Sequence, residues 1–204
     1  MYKLLTCIMI LFLGGAYHSV AQSYGTTAGL RLGNNNHYRT LGVSAKHRLV
    51  KGLTAEAILQ SDFNVNTTAH LLIARHRPLI SRRFNYYYGA GASIGIEESR
   101  EKIPDDMQII HTYGNPTLGV DLVLGIEFTL LKMNVSLDYK PNVNLVGREP
   151  WYQGQVGLSV RHVLVKGSEQ NKKRRQKARK KRRAGKNQQE VGPFTKIIRS
   201  LKGQ

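Results

Sequence analysis

The chain has 204 residues, a formal charge of +18, 20 glycines, one cysteine and one tryptophan. That length holds one domain with flanking segments, and because Cys7 lies in the N-terminal apolar run, the rest can hold no disulfide, catalytic thiol or cysteine-based zinc site. Residues 24–165 carry 15 Lys/Arg against 11 Asp/Glu, net +4, whereas residues 166–204 carry 15 against 2, net +13, so the imbalance belongs to a tail and excludes little about the folded part.

The N-terminus reads "MYKLLTCIMILFLGGAYHSVAQS". Lys3 supplies a basic start, Leu4 to Leu13 an apolar core, and Ser19-Val20-Ala21 a small-x-small site. This predicts a signal peptide over 1–21, cut between Ala21 and Gln22. A membrane-spanning helix needs about 20 apolar residues, and the run stops at Gly14-Gly15. Cys7 lies early in the apolar core, away from the end where a lipid-attachment cysteine stands.

Beyond the leader, four strands are predicted at 24–33, 39–49, 53–63 and 68–77, separated by the turn signals "GNNN", "VKG" and "NVN". The fourth breaks alternation at Leu71-Leu72. Four longer strands follow with strict period 2. "NYYYGAGASIGIEE" sets Tyr86, Tyr88, Ala90, Ala92, Ile94 and Ile96 against glycines, Ser93 and Glu97. "TLGVDLVLGIEF" sets Leu118, Val120, Leu122, Leu124, Ile126 and Phe128 against Asp121 and Glu127; "MNVSLDYKPNVNL" and "YQGQVGLSVRHVL" repeat the pattern. Eight such strands are long enough to cross a bilayer when tilted.

Alternation does not say which face is wet. In a soluble barrel the apolar parity points inward, and in a membrane barrel outward. Three features favour lipid. The chain is exported; aromatics gather near strand ends (Tyr24, Tyr38, Phe63, Phe84, Tyr86, Phe128, Tyr139, Trp151, Tyr152) as interfacial girdles do; and the polar parity carries both signs. The acids are Glu56, Asp62, Glu97, Asp121, Glu127 and Asp138, and the bases Arg31, Lys46, Arg48, Lys140 and Arg161. Near-balance fits a filled interior, because an unpaired buried charge costs several kcal/mol and an eight-stranded barrel is just wide enough for side chains to fill. These residues are predicted to form a structural network, against the porin-like alternative of a conducting lumen.

"YGAGASIG", "LGIEFTLLKMNVSLDYKPNVNLVG" and the last strand "YQGQVGLSVRH" resemble the small outer-membrane β-barrel proteins of Bacteroidetes and, more distantly, the outer membrane protein A/X type. The resemblance covers residues 22–165. It implies an all-β, eight-stranded antiparallel up-and-down transmembrane β-barrel in a Gram-negative outer membrane, with outer-membrane lipid and the barrel insertion machinery as partners. It brings no catalytic or cofactor residues. The last strand departs from the pattern: Val160, His162 and Leu164 stand where such barrels commonly carry a terminal aromatic, and the chain continues to Gln204.

Enzymatic readings are weak. "GASIG" matches a serine-nucleophile pattern, but that chemistry needs a sharp strand-to-helix turn, and Ser93 is predicted inside a strand, facing the lumen. His37, His47, His70, His76, His111 and His162 lack paired ligand spacing apart from His70 and His76. The predicted loop "EESREKIPDDMQIIHTYGNP" reads as solvated and acidic. No catalytic residue, cofactor or metal site is predicted.

An even strand count puts both ends on one side, the periplasmic side of an outer-membrane barrel, with short turns there and longer loops outside. "KKRRQKARKKRRAGK" contributes Lys172, Lys173, Arg174, Arg175, Lys177, Arg179, Lys180, Lys181, Arg182, Arg183 and Lys186. In the periplasm this run fits anionic lipid or a cell-wall polyanion, and nucleic acid is not the expected partner. The tail 166–204 is predicted to be mostly disordered, with an amphipathic helix at 193–202 placing Phe194, Ile197, Ile198 and Leu201 on one face. Two other readings remain open: a soluble exported barrel binding an apolar ligand, and an exported nucleic-acid-binding protein acting through the tail.

Overall fold

Residues that alternate along a chain present two chemically distinct faces only when extended, and closing the sheet then removes every unpaired edge. The computed structural model has this solution. It describes residues 24–35, 37–81, 83–102 and 109–190, with side chains over the same stretches except 102 and 184–190. The signal peptide, its cleavage site and the helix predicted at 193–202 lie outside the described residues.

Eight strands close into an antiparallel barrel in chain order: β1 (Tyr24–Asn34), β2 (Arg39–Val50), β3 (Leu53–Ser61), β4 (Thr67–Ser81), β5 (Phe84–Lys102), β6 (Ile109–Leu130), β7 (Met133–Val146) and β8 (Tyr152–Lys166). Closure comes from β8 pairing with β1, with Leu30 opposite Val160 and Leu32 opposite Leu158. Tight turns at Lys51-Gly52 and Leu131-Lys132 lie at the end that also holds Tyr24 and Lys166. Gly52 has φ 75, and Leu131 and Lys132 have φ 47 and 68, the left-handed pair that matches the twist of a two-residue hairpin. The opposite, loop end carries the longer connections.

The parity assignments hold. Leu118, Val120, Leu122, Leu124, Ile126, Phe128 and Leu130 face outward along β6, while Thr117, Asp121, Val123 and Glu127 are buried inside. From Leu118 to Leu130 the outward apolar run is about 40 Å along the strand at ~3.3 Å per residue. Tilted by ~40°, it spans about 30 Å, comparable with the ~25 Å apolar band of membrane barrels. The outward face is thus apolar and the inward face polar, the inverse of a soluble barrel. No helix among the described residues is long and apolar enough to cross a membrane.

Three expectations change. In β4 the Leu71-Leu72 step is no break: Leu71 points out at 62% exposure and Leu72 points in at 1%. Leu72 joins Ile58, Ala74, Tyr87 and Val123 in an apolar layer inside the barrel, which a search for a purely polar inner face overlooks. The predicted acidic loop is largely a ladder, pairing Ser99 with Thr112 and Lys102 with Ile109. Within the tail 166–204, expected to be mostly disordered, Gly167–Glu190 form α1 directly after β8, and residues 191–204 lie outside the described ones. Its Lys, Arg, Gln and Ala are good helix formers, its first turn is docked on the barrel, and Glu169 there favours the positive helix start.

Candidate functional site in the barrel interior and basic helix

A strand places every second side chain inside, so the interior site draws on all eight strands. Lys46 (β2) and Arg161 (β8) sit between Glu56 (β3) and Glu127 (β6). Lys46 Nζ lies 3.2 Å from Glu56 Oε2 and 3.3 Å from Glu127 Oε2. Arg161 pairs with Glu56 and donates to Ser136 Oγ at 2.7 Å, while Ser44 Oγ donates to Glu56 at 2.9 Å. The Tyr24 hydroxyl donates to Glu127, 2.9 Å from each carboxylate oxygen, and His76 Nδ1 stands 3.3 Å from Oε1. The Tyr87 ring stacks on His76 with centroids 5.0 Å apart and takes the Lys46 ammonium over its face at 4.2 Å.

A second group joins Arg31 (β1) to Asp138 (β7) through a bidentate pair at 2.6 and 2.9 Å, reinforced by the Tyr87 hydroxyl at 2.9 Å. Gly157 makes room for it: a Cβ there would lie 2.0 Å from Arg31 Nη2. A third group closes the loop end. Arg148 pairs with Glu97 at 2.7 Å and donates to Asn142 at 2.7 Å, while Asp121 bonds His70 Nδ1 at 2.7 Å and accepts from Asn142 at 2.9 Å. Ser93 lies inside, as predicted, and accepts from Asn142 at 2.8 Å. Lys140 is fully buried, yet its ammonium has no hydrogen-bond partner among the described residues. It borders a cavity of about 20 Å³ with His70, Gln60 and Gln155, room for a single water.

The expected network is therefore assembled, with corrections. Asp62 is not in it: the residue sits in the β3–β4 turn, where its carboxylate accepts from the Asn64 and Asn66 backbone amides and from Asn66 Nδ2 at 2.9, 2.9 and 2.6 Å. β3 ends at Ser61, so parity no longer aims Asp62 inward. Arg48 is inside but meets no acid; it donates to Gln170 Oε1, Gly167 O and Asn171 Oδ1 at 2.8, 2.9 and 2.9 Å, docking α1 on the barrel. Tyr24 is no girdle aromatic but fully buried against Glu127. Tyr87, His70, His76 and Arg148 were missed as interior residues. Parity could have found the first three, since Tyr87 shares Glu97's parity and the histidines share that of Leu72. Arg148 follows β7 in a loop, and only the fold brings it over the mouth.

Beyond the apolar band the β5–β6 hairpin carries Glu98, held by Arg100 at 2.8 Å and by His111. The Arg100 hydrogen bond keeps the Glu98 carboxyl below its ordinary range, outweighing partial burial. No group of three or more potential metal ligands occurs among the described residues.

Of the eleven cations in 172–186, those up to Arg183 are exposed. Arg174 alone turns back, onto the Arg48 and Leu49 carbonyls. The charges surround the helix, which has no apolar stripe.

No family model matches the sequence, and no curated protein does. Among solved structures, the N-terminal β-barrel domain of Pseudomonas aeruginosa OprF aligns with TM-score 0.51 and 12% identity, over 69% of this chain and 98% of that one. Neisserial surface protein A aligns with TM-score 0.45 and 11% identity, over 68% and 94%. What this chain has in common with the OprF domain is the fold, a β-barrel, closed in this chain by eight antiparallel strands.

Proposed function

We propose that the protein is a small, non-enzymatic outer-membrane barrel of a Gram-negative bacterium, a membrane anchor whose working part is the basic helix on the periplasmic side. The resemblance of its strand phrases supports a place among the Bacteroidetes barrels. One observation carries the reading. The interior charges are nearly all bound to one another, whereas the cations of 172–183, Arg174 apart, face solvent and form no ion pair with any described residue. The chain's unspent chemistry is therefore a rod of positive charge, held to the barrel by Arg48 and suited to anionic lipid or another periplasmic polyanion.

The charge pattern adds a motive. Lys173 and Lys177, Arg175 and Arg179, and Arg179 and Arg183 are like pairs at i,i+4, each destabilising the helix by ~0.2–0.5 kcal/mol. A polyanion relieves that repulsion as it binds. The test uses the full chain in neutral nanodiscs, titrated with polyglutamate, polyphosphate and phosphatidylglycerol vesicles. Binding should rise with helix content and fade between 0.1 and 1 M salt, as screening shortens from ~10 to ~3 Å. Glutamine at the cations of 172–183 should abolish it. Unchanged binding in that variant would refute the proposal, and capture of DNA in preference to all three would favour the nucleic-acid reading.

A further inference from the structure

Charge on the outside of the barrel is segregated by end. Among the described residues, the barrel's non-interior acids, Asp62, Glu98, Glu101 and Glu149, all belong to the loop end. At the opposite end the outward and turn positions carry Lys51, Arg75, Arg77, Arg83, Lys132 and Lys166, with no acid among them. The charged ends of Lys51, Arg75 and Arg77 form no ion pair or hydrogen bond with any described residue. Their level is marked by aromatics: Arg75 and Arg77 are the cross-strand partners of Tyr88 and Tyr86, which face out as a membrane-interface girdle does.

Above these cations the lipid-facing surface is hollow. Ala28, Ala45 and Ala57 pair across β1, β2 and β3, and the row continues to Leu71. With the bulkier Val43 and Leu59 beside them they bound an apolar trough of about 950 Å³. Arg75 lies four residues below Leu71 on β4, about 13 Å along the strand. At the ~40° strand tilt this is ~10 Å along the membrane normal, within the ~15 Å of hydrocarbon that one leaflet contributes, so the trough lies among the chains of the leaflet whose headgroups meet Arg75.

We propose that the outer face of β1–β4 binds one anionic phospholipid of the terminus-side leaflet. Its chains occupy the trough, and its phosphate is held by Arg75, Arg77 and Lys51. The occupant follows from complementarity: a surface apolar along one leaflet and cationic at that leaflet's headgroup level fits an amphiphile with a negative head. This rests on the reading that the barrel lies in a bilayer, and it is independent of what α1 binds.

The test uses full-length protein in phosphatidylcholine nanodiscs doped with phosphatidylglycerol carrying a photoreactive group on one chain. Lipid retained after detergent extraction is counted by native mass spectrometry, and crosslinks are mapped. Phosphatidylglycerol should be retained over phosphatidylcholine and crosslink to β2 and β3. Each cation is worth about fivefold, from ~1 kcal/mol near the surface, so K51Q/R75Q/R77Q should lower the preference by about 100-fold while keeping the folded gel mobility. A45L/A57L should move the crosslinks off these strands with the charges intact. Equal retention of both lipids, crosslinks spread evenly around the barrel, or crosslinks between two copies would each overturn the site. So would a preference lost only when the α1 cations are replaced, an outcome that would leave the proposed role of the helix standing.

Discussion

Asp138→Ala tests the interior most sharply, because it removes one acid from a pair whose side chains are each 1% exposed. Asp138 accepts two hydrogen bonds from Arg31 and one from the Tyr87 hydroxyl. Arg31 Nε already lacks a partner, so the guanidinium would keep only its 3.1 Å bond to Ser159. Breaking a buried pair from one side costs about 3–5 kcal/mol, and the Tyr87 hydroxyl, left with Ser136 alone, adds up to about 1 kcal/mol. Arg31→Met alone should cost less, since Asp138 keeps Tyr87 and can take up a proton. Arg31→Met with Asp138→Leu should return near wild type, because replacing a buried pair by apolar residues is often neutral. With Asp138→Leu alone costing about what Asp138→Ala does, the coupling between Arg31→Met and Asp138→Leu should therefore exceed about 2 kcal/mol. The assay is urea unfolding in lipid vesicles, read by gel mobility and by fluorescence of Trp151, the chain's single tryptophan. Additive effects, or a cost below about 1 kcal/mol for Asp138→Ala, would refute a dry, paired interior.

Leu122→Arg, on the lipid face, should cost about 2–4 kcal/mol if near the midplane, whereas Asp121→Asn should act through His70 and Asn142; equal, negligible effects in urea titrations would reverse the face assignment. Folded protein should migrate differently on gels before and after boiling, because a closed ladder leaves no edge from which to fray; identical mobility would contradict closure. Glu98, held low by Arg100, supports its hairpin above the ordinary carboxylate pKa of ~4.3 and loses that support as pH falls through its lower folded value. Amide exchange in Ser99–Lys102 should accordingly rise below about pH 4, and Glu98→Gln should flatten the profile. A chain ending at Lys166 should lose about 1–3 kcal/mol, since Arg48 then loses Gly167 O, Gln170 and Asn171, while one ending after Asn171 should keep wild-type urea stability.

The strands, their faces and the closed count of eight were legible in the sequence because each follows from local, period-2 chemistry. A residue such as Leu122 or Asp121 declares its side by its neighbours two positions away. Tertiary structure alone decided which charges meet. Arg31 and Asp138 pair across the closed barrel, and Arg161 reaches Glu56 on a distant strand, because closure and stagger bring remote positions to one level. Residues at element ends were misread for the same reason. Asp62 kept its parity on paper but lost it where β3 stops, and Arg148 enters the mouth from a loop that has no period. Tyr24 reads as an interfacial aromatic until Glu127 arrives from β6. In α1, helix propensity was visible residue by residue, but eleven like charges argued for a disordered chain. The anchor that tips the balance is Arg48, set inside the barrel more than a hundred residues earlier in the chain, a contact that no local pattern encodes.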